Sequence, residues 1–237
     1  MRVLVTRPDD DAGQTVGLLE KLGHSAVVEP VLNVVFEPDL KLDLSGVRAV
    51  LATSRNGVRA LVRATDRRDL RILSVGPSTA ELARQTGFGD VRDADGDVDD
   101  LVRMTTAQLQ PDNGVLLHIS GRDVAGNLKG ALEKSGYRVR RVVGYRAVAS
   151  EALSADCVTA LTRRQIDAVL FFSPRSAGTF ASLVRPFDAL RLACGEIAAI
   201  CISERAAEAL APVTFREVRI ADRPNQEALL RCLGDVR

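Results

Sequence analysis

Serine and arginine recur in this chain where a short apolar run gives way to polar residues. Ala49-Val50-Leu51-Ala52-Thr53 leads into Ser54, and Ala168-Val169-Leu170-Phe171-Phe172 leads into Ser173-Pro174. Such a run reads as a strand covered on both faces, as in a parallel sheet. A serine after it, with proline next, reads as a helix N-cap followed by the first helical residue. Free backbone N–H groups and the helix dipole converge at that point, so it is a natural place for an anion. Gly76-Pro77-Ser78-Thr79, Gly121-Arg122, Ser173 to Ser176 and Ser203 read as further helix starts of this kind. Arg7, Arg122 and Arg175 stand at strand ends, where a guanidinium can hold a carboxylate with two hydrogen bonds. The competing readings are plain: Ser54 and Ser173 cap their own helices, and the arginines are surface residues. Tyr145, beside Arg138, Arg140, Arg141 and Arg146, adds a phenol that can donate a proton or pack two domains together.

The elements that must position these residues follow one another in strict strand–helix alternation, the signature of a parallel α/β sheet. Strands are expected over Arg2–Thr6, Ser25–Glu29, Val47–Thr53, Ile72–Val75, Val91–Asp93, Val115–Ile119, Tyr137–Val143, Ala168–Phe172, Ile197–Ile202 and Val218–Ala221. Helices are expected over about 11–22, 56–64, 125–134 and 206–210, with Gly23, Gly87 and Gly136 closing three of the helices along the chain. Two extended connectors, Val31–Phe36 and Gly144–Val148, interrupt the alternation. Asp97, Asp99 and Asp100 suit a helix start better than a metal. Arg63, Arg67, Arg68 and Arg71 read as a solvated loop.

The 237 residues suffice for one large or two small domains. At 46% hydrophobic and 27% charged residues the composition is that of a globular protein. A net charge of +1 gives no global pull toward nucleic acid, and no apolar run approaches a membrane span. The N-terminus does not read as a signal peptide, so a cytoplasmic protein is expected. Cys157, Cys194, Cys201 and Cys232 form no CxxC pair, and the chain has two histidines, His24 and His118, so no metal site is expected and the cysteines read as reduced structural residues.

The chain also repeats itself. At an offset of 113, Asp10, Ala12, Gly13, Gly17, Leu19, Glu20, Lys21 and Gly23 are identical to Asp123, Ala125, Gly126, Gly130, Leu132, Glu133, Lys134 and Gly136. At an offset of 119, Ala49, Val50, Leu51 and Ser54 match Ala168, Val169, Leu170 and Ser173. The chain therefore reads as a duplicated α/β unit divided near Asn113. Two such sheets facing each other by their strand ends would form a ligand cleft.

The whole pattern resembles the uroporphyrinogen-III synthase family. The resemblance rests on Val3-Leu4-Val5-Thr6-Arg7-Pro8, Thr53-Ser54-Arg55-Asn56-Gly57, Gly76-Pro77-Ser78-Thr79-Ala80, Gly144-Tyr145-Arg146, Phe172-Ser173-Pro174-Arg175-Ser176 and Pro224-Asn225-Gln226-Glu227-Ala228-Leu229-Leu230. It implies an α/β fold of two similar parallel-sheet, flavodoxin-like domains with a cleft between them. One would be discontinuous, residues 1–34 plus 149–237; the other would be 37–144. Linkers at about 32–38 and 144–149 would form a two-stranded hinge. The implied enzyme is a cytoplasmic, monomeric lyase of haem and tetrapyrrole biosynthesis with no cofactor or metal. Its substrate would be hydroxymethylbilane, a linear tetrapyrrole with eight carboxylates, closed with inversion of the terminal pyrrole and loss of water. No nucleic-acid or membrane partner is implied. Tyr145 would be catalytic. Arg7, Ser54, Asn56, Gly76, Thr79, Gly121, Arg122, Ser173, Arg175, Ser176 and Ser203 would bind substrate. The chain departs from the family pattern where Ile-Gly-x-x-Thr is usual: it has Ile202-Ser203-Glu204-Arg205-Ala206. That departure leaves a second reading open, a non-catalytic hinge-closing sensor of a tetrapyrrole or other polycarboxylate. A nucleotide-binding domain ranks third, because no GxGxxG or Walker A stretch follows a strand.

Overall fold

The computed structural model describes residues 1–112, 114–124 and 126–234. Asn113, near which the repeat divides, and Ala125, the expected first residue of one helix, lie outside them. The chain forms two compact units, Met1–Asn33 with Val148–Arg237, and Val34–Ala147.

The first unit contains β1 (Arg2–Val5), α1 (Asp9–Lys21) and β2 (Ser25–Val28). It resumes after the second unit with α6 (Ala155–Thr162), β9 (Ala168–Phe171), α7 (Pro174–Val184), α8 (Asp188–Cys194), β10 (Ala198–Cys201), α9 (Glu204–Glu208), β11 (Glu217–Ile220) and α10 (Gln226–Arg231). The second unit holds β4 (Val47–Ala52), α2 (Arg55–Ala64), β5 (Ile72–Ser74), α3 (Pro77–Gln85), β6 (Val91–Asp93), α4 (Val98–Gln108), β7 (Val115–Gly121) and α5 (Leu128–Lys134). The chain passes between the units through β3 (Leu32–Phe36) and β8 (Arg138–Ala149).

The first sheet has the order β2-β1-β9-β10-β11, all parallel. The second has the order β3-β8-β7-β4-β5-β6, and its β8-β7-β4-β5-β6 pairs are parallel. Both contain the doubly wound order in which neighbouring strands send their connections to opposite faces. That change of side falls between β1 and β9 in the first unit and between β7 and β4 in the second. β1–α1–β2 and β7–α5–β8 are the pair repeated at offset 113; β9–α7 and β4–α2 are the pair repeated at offset 119. Each unit therefore takes its strand–helix–strand piece from one half of the chain and its other three consecutive sheet strands from the other half. The sequence repeat and the compact units do not coincide.

Each sheet is covered on both faces, which is why its central strands are uninterrupted apolar runs. Leu4, Val169 and Phe171 pack on the α6/α7 side with Phe180 and Ala181, while Val3, Val5, Leu170 and Ile200 pack against Leu19 and Leu229. In the second unit Val50, Ala52, Leu117 and Ile119 face Val58, Leu61 and Ala80. Ala49, Leu51 and Leu116 face Leu101, Leu128 and Leu132.

Some expectations change. The turn Gly121-Arg122 is not a helix start: β7 runs through Gly121, and α5 begins at Leu128 with Asn127 as its cap. The strand expected to end at Val143 continues as β8 through Tyr145 to Ala149. Helix α8, bounded by an uncapped Phe187, has no counterpart among the expected elements. The arginine run is only partly solvated. Arg67 pairs with Asp69 on the surface, but half-buried Arg68 donates to the Thr65 and Thr86 carbonyls and lies 5.1 Å over the Phe88 ring. Arg71 pairs with Asp90 at 2.6 Å.

Candidate active site

In a parallel sheet every carboxyl end lies on one edge, and ligands bind at that edge near the change of winding. In the first unit this edge carries Arg7 after β1, Ser173 to Ser176 after β9 and Ser203 after β10. The buried Thr6 hydroxyl donates to the Leu170 carbonyl at 2.7 Å and ties the ends of β1 and β9 together. Arg7 is held in place: its Nη1 donates to Gln226 Oε1 at 2.5 Å and to Thr15 Oγ1 at 3.4 Å, its Nη2 lies 3.9 Å from Asp11, and its guanidinium sits 4.4 Å over Phe172. A fixed guanidinium loses little freedom when it takes a carboxylate. Ser173 caps α7 by accepting the Ser176 N–H at 3.0 Å. The buried Ser176 hydroxyl donates to the Ser173 carbonyl at 2.9 Å, so it serves the helix end. Arg175 is exposed on the first turn of α7. Ser203 caps α9 through Ala206 N–H at 3.4 Å, Ala206 is fully buried, and Glu204 is exposed. Serine thus does the capping there, and the acid points to solvent in the first turn, where the dipole favours it.

The corresponding edge of the second unit is more tightly built. Ser54 accepts the Gly57 N–H at 3.1 Å as the N-cap of α2, and its Oγ lies 2.7 Å from the Tyr145 hydroxyl. Three close approaches make that contact. A Cβ on Gly57 would meet the Ile119 carbonyl at 2.8 Å, and one on Gly144 would meet Ala60 Cβ at 2.7 Å, so α2 lies against β7 and β8. A Cβ on Gly121 would come within 2.9 Å of the Tyr145 ring. The Tyr145 ring packs over Gly121 on that side, with Phe36 at 6.2 Å between centroids. The Arg122 N–H donates to the Tyr145 carbonyl at 2.9 Å, extending the β7–β8 ladder, and that donor is therefore taken. The Arg122 side chain is exposed, 4.0 Å from Glu37. Asn56 accepts from Arg59 at 2.6 Å. Gly76 starts α3 without a side-chain cap, and a Cβ there would meet nothing within 4 Å, so this backbone is open to a ligand. Thr79 is buried in the first turn and makes no side-chain hydrogen bond among the described residues. Its hydroxyl is not spent on its own helix.

Neighbours in space are thus Ser54, Tyr145 and Gly121 in the second unit, and Arg7 with its Gln226 partner in the first. Sequence reasoning singled out Ser54 and Tyr145 separately but not their contact. It also passed over His118, a histidine in the apolar run Leu116-Leu117-His118-Ile119. The signal was a polar residue inside a buried strand. Among the described residues no three His, Cys, Asp or Glu gather into a cluster. Cys157, Cys194 and Cys201 are free and buried; burial pushes the last two thiols up to about 12 and Cys157 in the same direction. Such thiols carry little thiolate at neutral pH and make poor nucleophiles. The acidic stretch Asp97 to Asp100 forms a capping box at the start of α4.

A family model described as "Uroporphyrinogen-III synthase HemD" matches residues 13–231 of this sequence. The chain belongs to the uroporphyrinogen-III synthase family. Members of the family are lyases of haem biosynthesis. Among solved structures, a uroporphyrinogen-III synthetase from Helicobacter pylori 26695 superposes with a TM-score of 0.68 at 16% identity, covering 100% of both chains. A mutant uroporphyrinogen III synthase from Thermus thermophilus matches at a TM-score of 0.48 and 21% identity, over 98% of this chain and 97% of that one. A search of curated protein sequences finds no match. The Helicobacter pylori synthetase shares the α/β fold of two mainly parallel sheets described above. Uroporphyrinogen-III synthase family membership gives the serine-capped strand ends their context, because the reaction of such an enzyme acts on a small tetrapyrrole.

Proposed function

We propose that this chain closes hydroxymethylbilane into uroporphyrinogen III, with inversion of the terminal pyrrole and loss of water. The observation that carries the mechanism is the 2.7 Å contact between Ser54 Oγ and Tyr145 Oη. Ser54 Oγ accepts the Gly57 N–H, and either hydroxyl can donate in the contact with Tyr145; in the proposed arrangement Ser54 donates to the phenol oxygen. The phenol proton is then turned outward to the departing hydroxyl of the substrate. The C–O bond of the hydroxymethyl group breaks, the hydroxyl leaves as water, and an azafulvenium cation forms. Ring closure with inversion of the last pyrrole is then a matter of holding that cation in a folded geometry, which is chiefly positioning.

Eight carboxylates need donors. Arg7, Arg175 and Arg122 supply guanidinium groups, and the helix starts at Ser54–Asn56, Gly76–Thr79, Ser173–Ser176 and Ser203 supply N–H and hydroxyl groups. Gly121 serves as the floor of the Tyr145 ring. In this reading residues 1–34 with 149–237 and residues 37–144 are the two domains, joined through about 32–38 and 144–149. The enzyme works as a monomer in the cytoplasm without a cofactor. No helix among the described residues is long and apolar enough to cross a membrane. The test is to mix the purified protein with freshly generated hydroxymethylbilane and separate the oxidised products by isomer. An excess of the type III ring over the spontaneous type I ring is expected; type I product alone contradicts the proposal.

A further inference from the structure

His118 sits on central strand β7, paired with Leu51 of β4 and Arg141 of β8. It is 3% exposed, and neither ring nitrogen has a hydrogen-bond partner among the described residues. A buried polar group left in that state is costly, so native structures rarely leave one without a partner. His118 forms part of the wall of a cavity of about 150 Å³ within the second unit. That is room for several water molecules, since one occupies about 30 Å³ in the liquid.

The rest of the wall has one electrostatic sign. Thr53, Asn127, Lys129 and Arg141 line it, and among the described residues no lining residue is acidic. Arg141 is anchored, its Nε donating to Ser120 Oγ at 2.9 Å and its Nη2 to the Gly121 and Arg122 carbonyls at 2.9 and 2.8 Å. Asn127 accepts the Gly130 N–H with its Oδ1, which leaves its amide NH₂ as a donor. Lys129 has one partial neutraliser, Glu133 at 3.6 Å. Fixed positive charge, neutral donors and an unpartnered imidazole around a small space match a small anion. A metal cation would meet two positive side chains there instead.

We infer that this cavity is a binding site for a small carboxylate, held by Lys129, Arg141 and Asn127 with His118 as a buried donor. Its size admits a short-chain acid or a single carboxylate arm of a larger molecule. The inference does not rest on the proposed reaction. The charged group acting on His118 is Arg141 from β8; Lys129 from α5 lines the same cavity with Glu133 beside it, and among the described residues β4 and its end contribute the uncharged Leu51 and Thr53. Burial and Arg141 hold the imidazole neutral, down to about 4. A bound anion reverses part of that field, so it raises the His118 pKa and binds more tightly as pH falls.

The test is NMR of the two histidine rings in the full chain, His24 being identified through His24→Gln. Acetate and propionate are titrated near pH 6 against chloride at equal ionic strength. A saturable movement of the His118 signals is expected with His24 unmoved, and Lys129→Gln should weaken it about tenfold or more. Arg141→Gln should weaken it too, but it also frees the Gly121 and Arg122 carbonyls, so Lys129→Gln is the deciding variant. Competition by a uroporphyrin assigns the site to the carboxylate arm of a tetrapyrrole, whereas acetate binding unaffected by it assigns the site to a free acid. No movement of His118, or movement unchanged in Lys129→Gln, overturns the inference and leaves the cavity to water.

Discussion

The hydroxyls of Ser54 and Tyr145 lie 2.7 Å apart although 91 residues separate them in the chain. One caps a helix, the other sits on a strand, and the parallel register of β4, β7 and β8 brings them together. Ser54 thereby does two things at once, and the two can be separated. Glycine replaces serine at an N-cap at a cost of only a few tenths of a kcal/mol, whereas alanine costs about 1 kcal/mol. Ser54→Gly should therefore melt close to the wild type yet turn over about tenfold or more slowly. Ser54→Ala should lose both stability and rate. Melting curves and steady-state kinetics on the same preparations check this. Ser173→Gly, whose hydroxyl meets no phenol, should change KM rather than kcat.

Gly121 is required by space. Its Cβ position falls 2.9 Å from the Tyr145 ring, and the ring cannot retreat without leaving Ser54. Gly121→Ala should destabilise the chain by about 1–3 kcal/mol, as overpacking does, and should lower kcat. The chain has no Trp and two Tyr, so a change in its tyrosine near-ultraviolet circular dichroism should accompany the loss. Unchanged kcat would mean the ring keeps its place.

His118 makes stability depend on pH in a defined direction. Its folded value lies near 4, below the ordinary 6.5 of an unfolded histidine. Between these values the unfolded chain binds more protons, so stability is complete above about pH 6.5 and falls as the pH drops toward 4. The loss is of order 3 kcal/mol at about 1.4 kcal/mol per unit. His24 is lowered too, by burial and the N-terminal charge, and contributes in the same direction. Urea midpoints of the wild type and His118→Leu across pH 4 to 7 isolate the His118 share. The variant should show the shallower dependence.

Arg7 is oriented by Gln226, Thr15 and Phe172 before any ligand arrives. Lysine keeps the charge but loses the planar fork and the stacking. Arg7→Lys should raise KM about tenfold with little effect on kcat, as steady-state kinetics with hydroxymethylbilane would show. An equal fall in kcat would place Arg7 in the transition state.

The alternation of strands and helices was readable because buried parallel strands such as Ala168–Phe171 are unbroken apolar runs and because Ser54, Ser173 and Asn225 mark helix starts chemically. Helix α8 escaped because Phe187 offers no cap and because exposed Phe187 and Leu192 blur the short apolar face of Leu190, Ala193 and Cys194. Gly144 looked like a strand end, but it is there to let β8 approach Ala60. Gly121-Arg122 looked like an anion-binding turn, yet the Arg122 N–H completes a ladder with Tyr145. The errors at Gly144 and at Gly121-Arg122 share a cause: each depends on a neighbour on another element. The Ser54–Tyr145 contact and the surroundings of His118 escaped for the same reason; β7 lies between the strand before Ser54 and the strand that carries Tyr145. The repeat was visible in two offsets and the resemblance implied a discontinuous domain; the strand order shows which strands each unit takes from each half of the chain.

The central claim is that the Tyr145 phenol, held by Ser54, assists departure of the substrate hydroxyl. Single-turnover formation of the type III ring, measured for the wild type and Tyr145→Phe, tests it most directly. The account predicts that Tyr145→Phe forms the type III ring about 10²- to 10⁴-fold more slowly, the range for loss of a general acid, with a smaller change in the substrate concentration at half saturation. A Tyr145→Phe enzyme that forms the type III ring at the wild-type rate would contradict it.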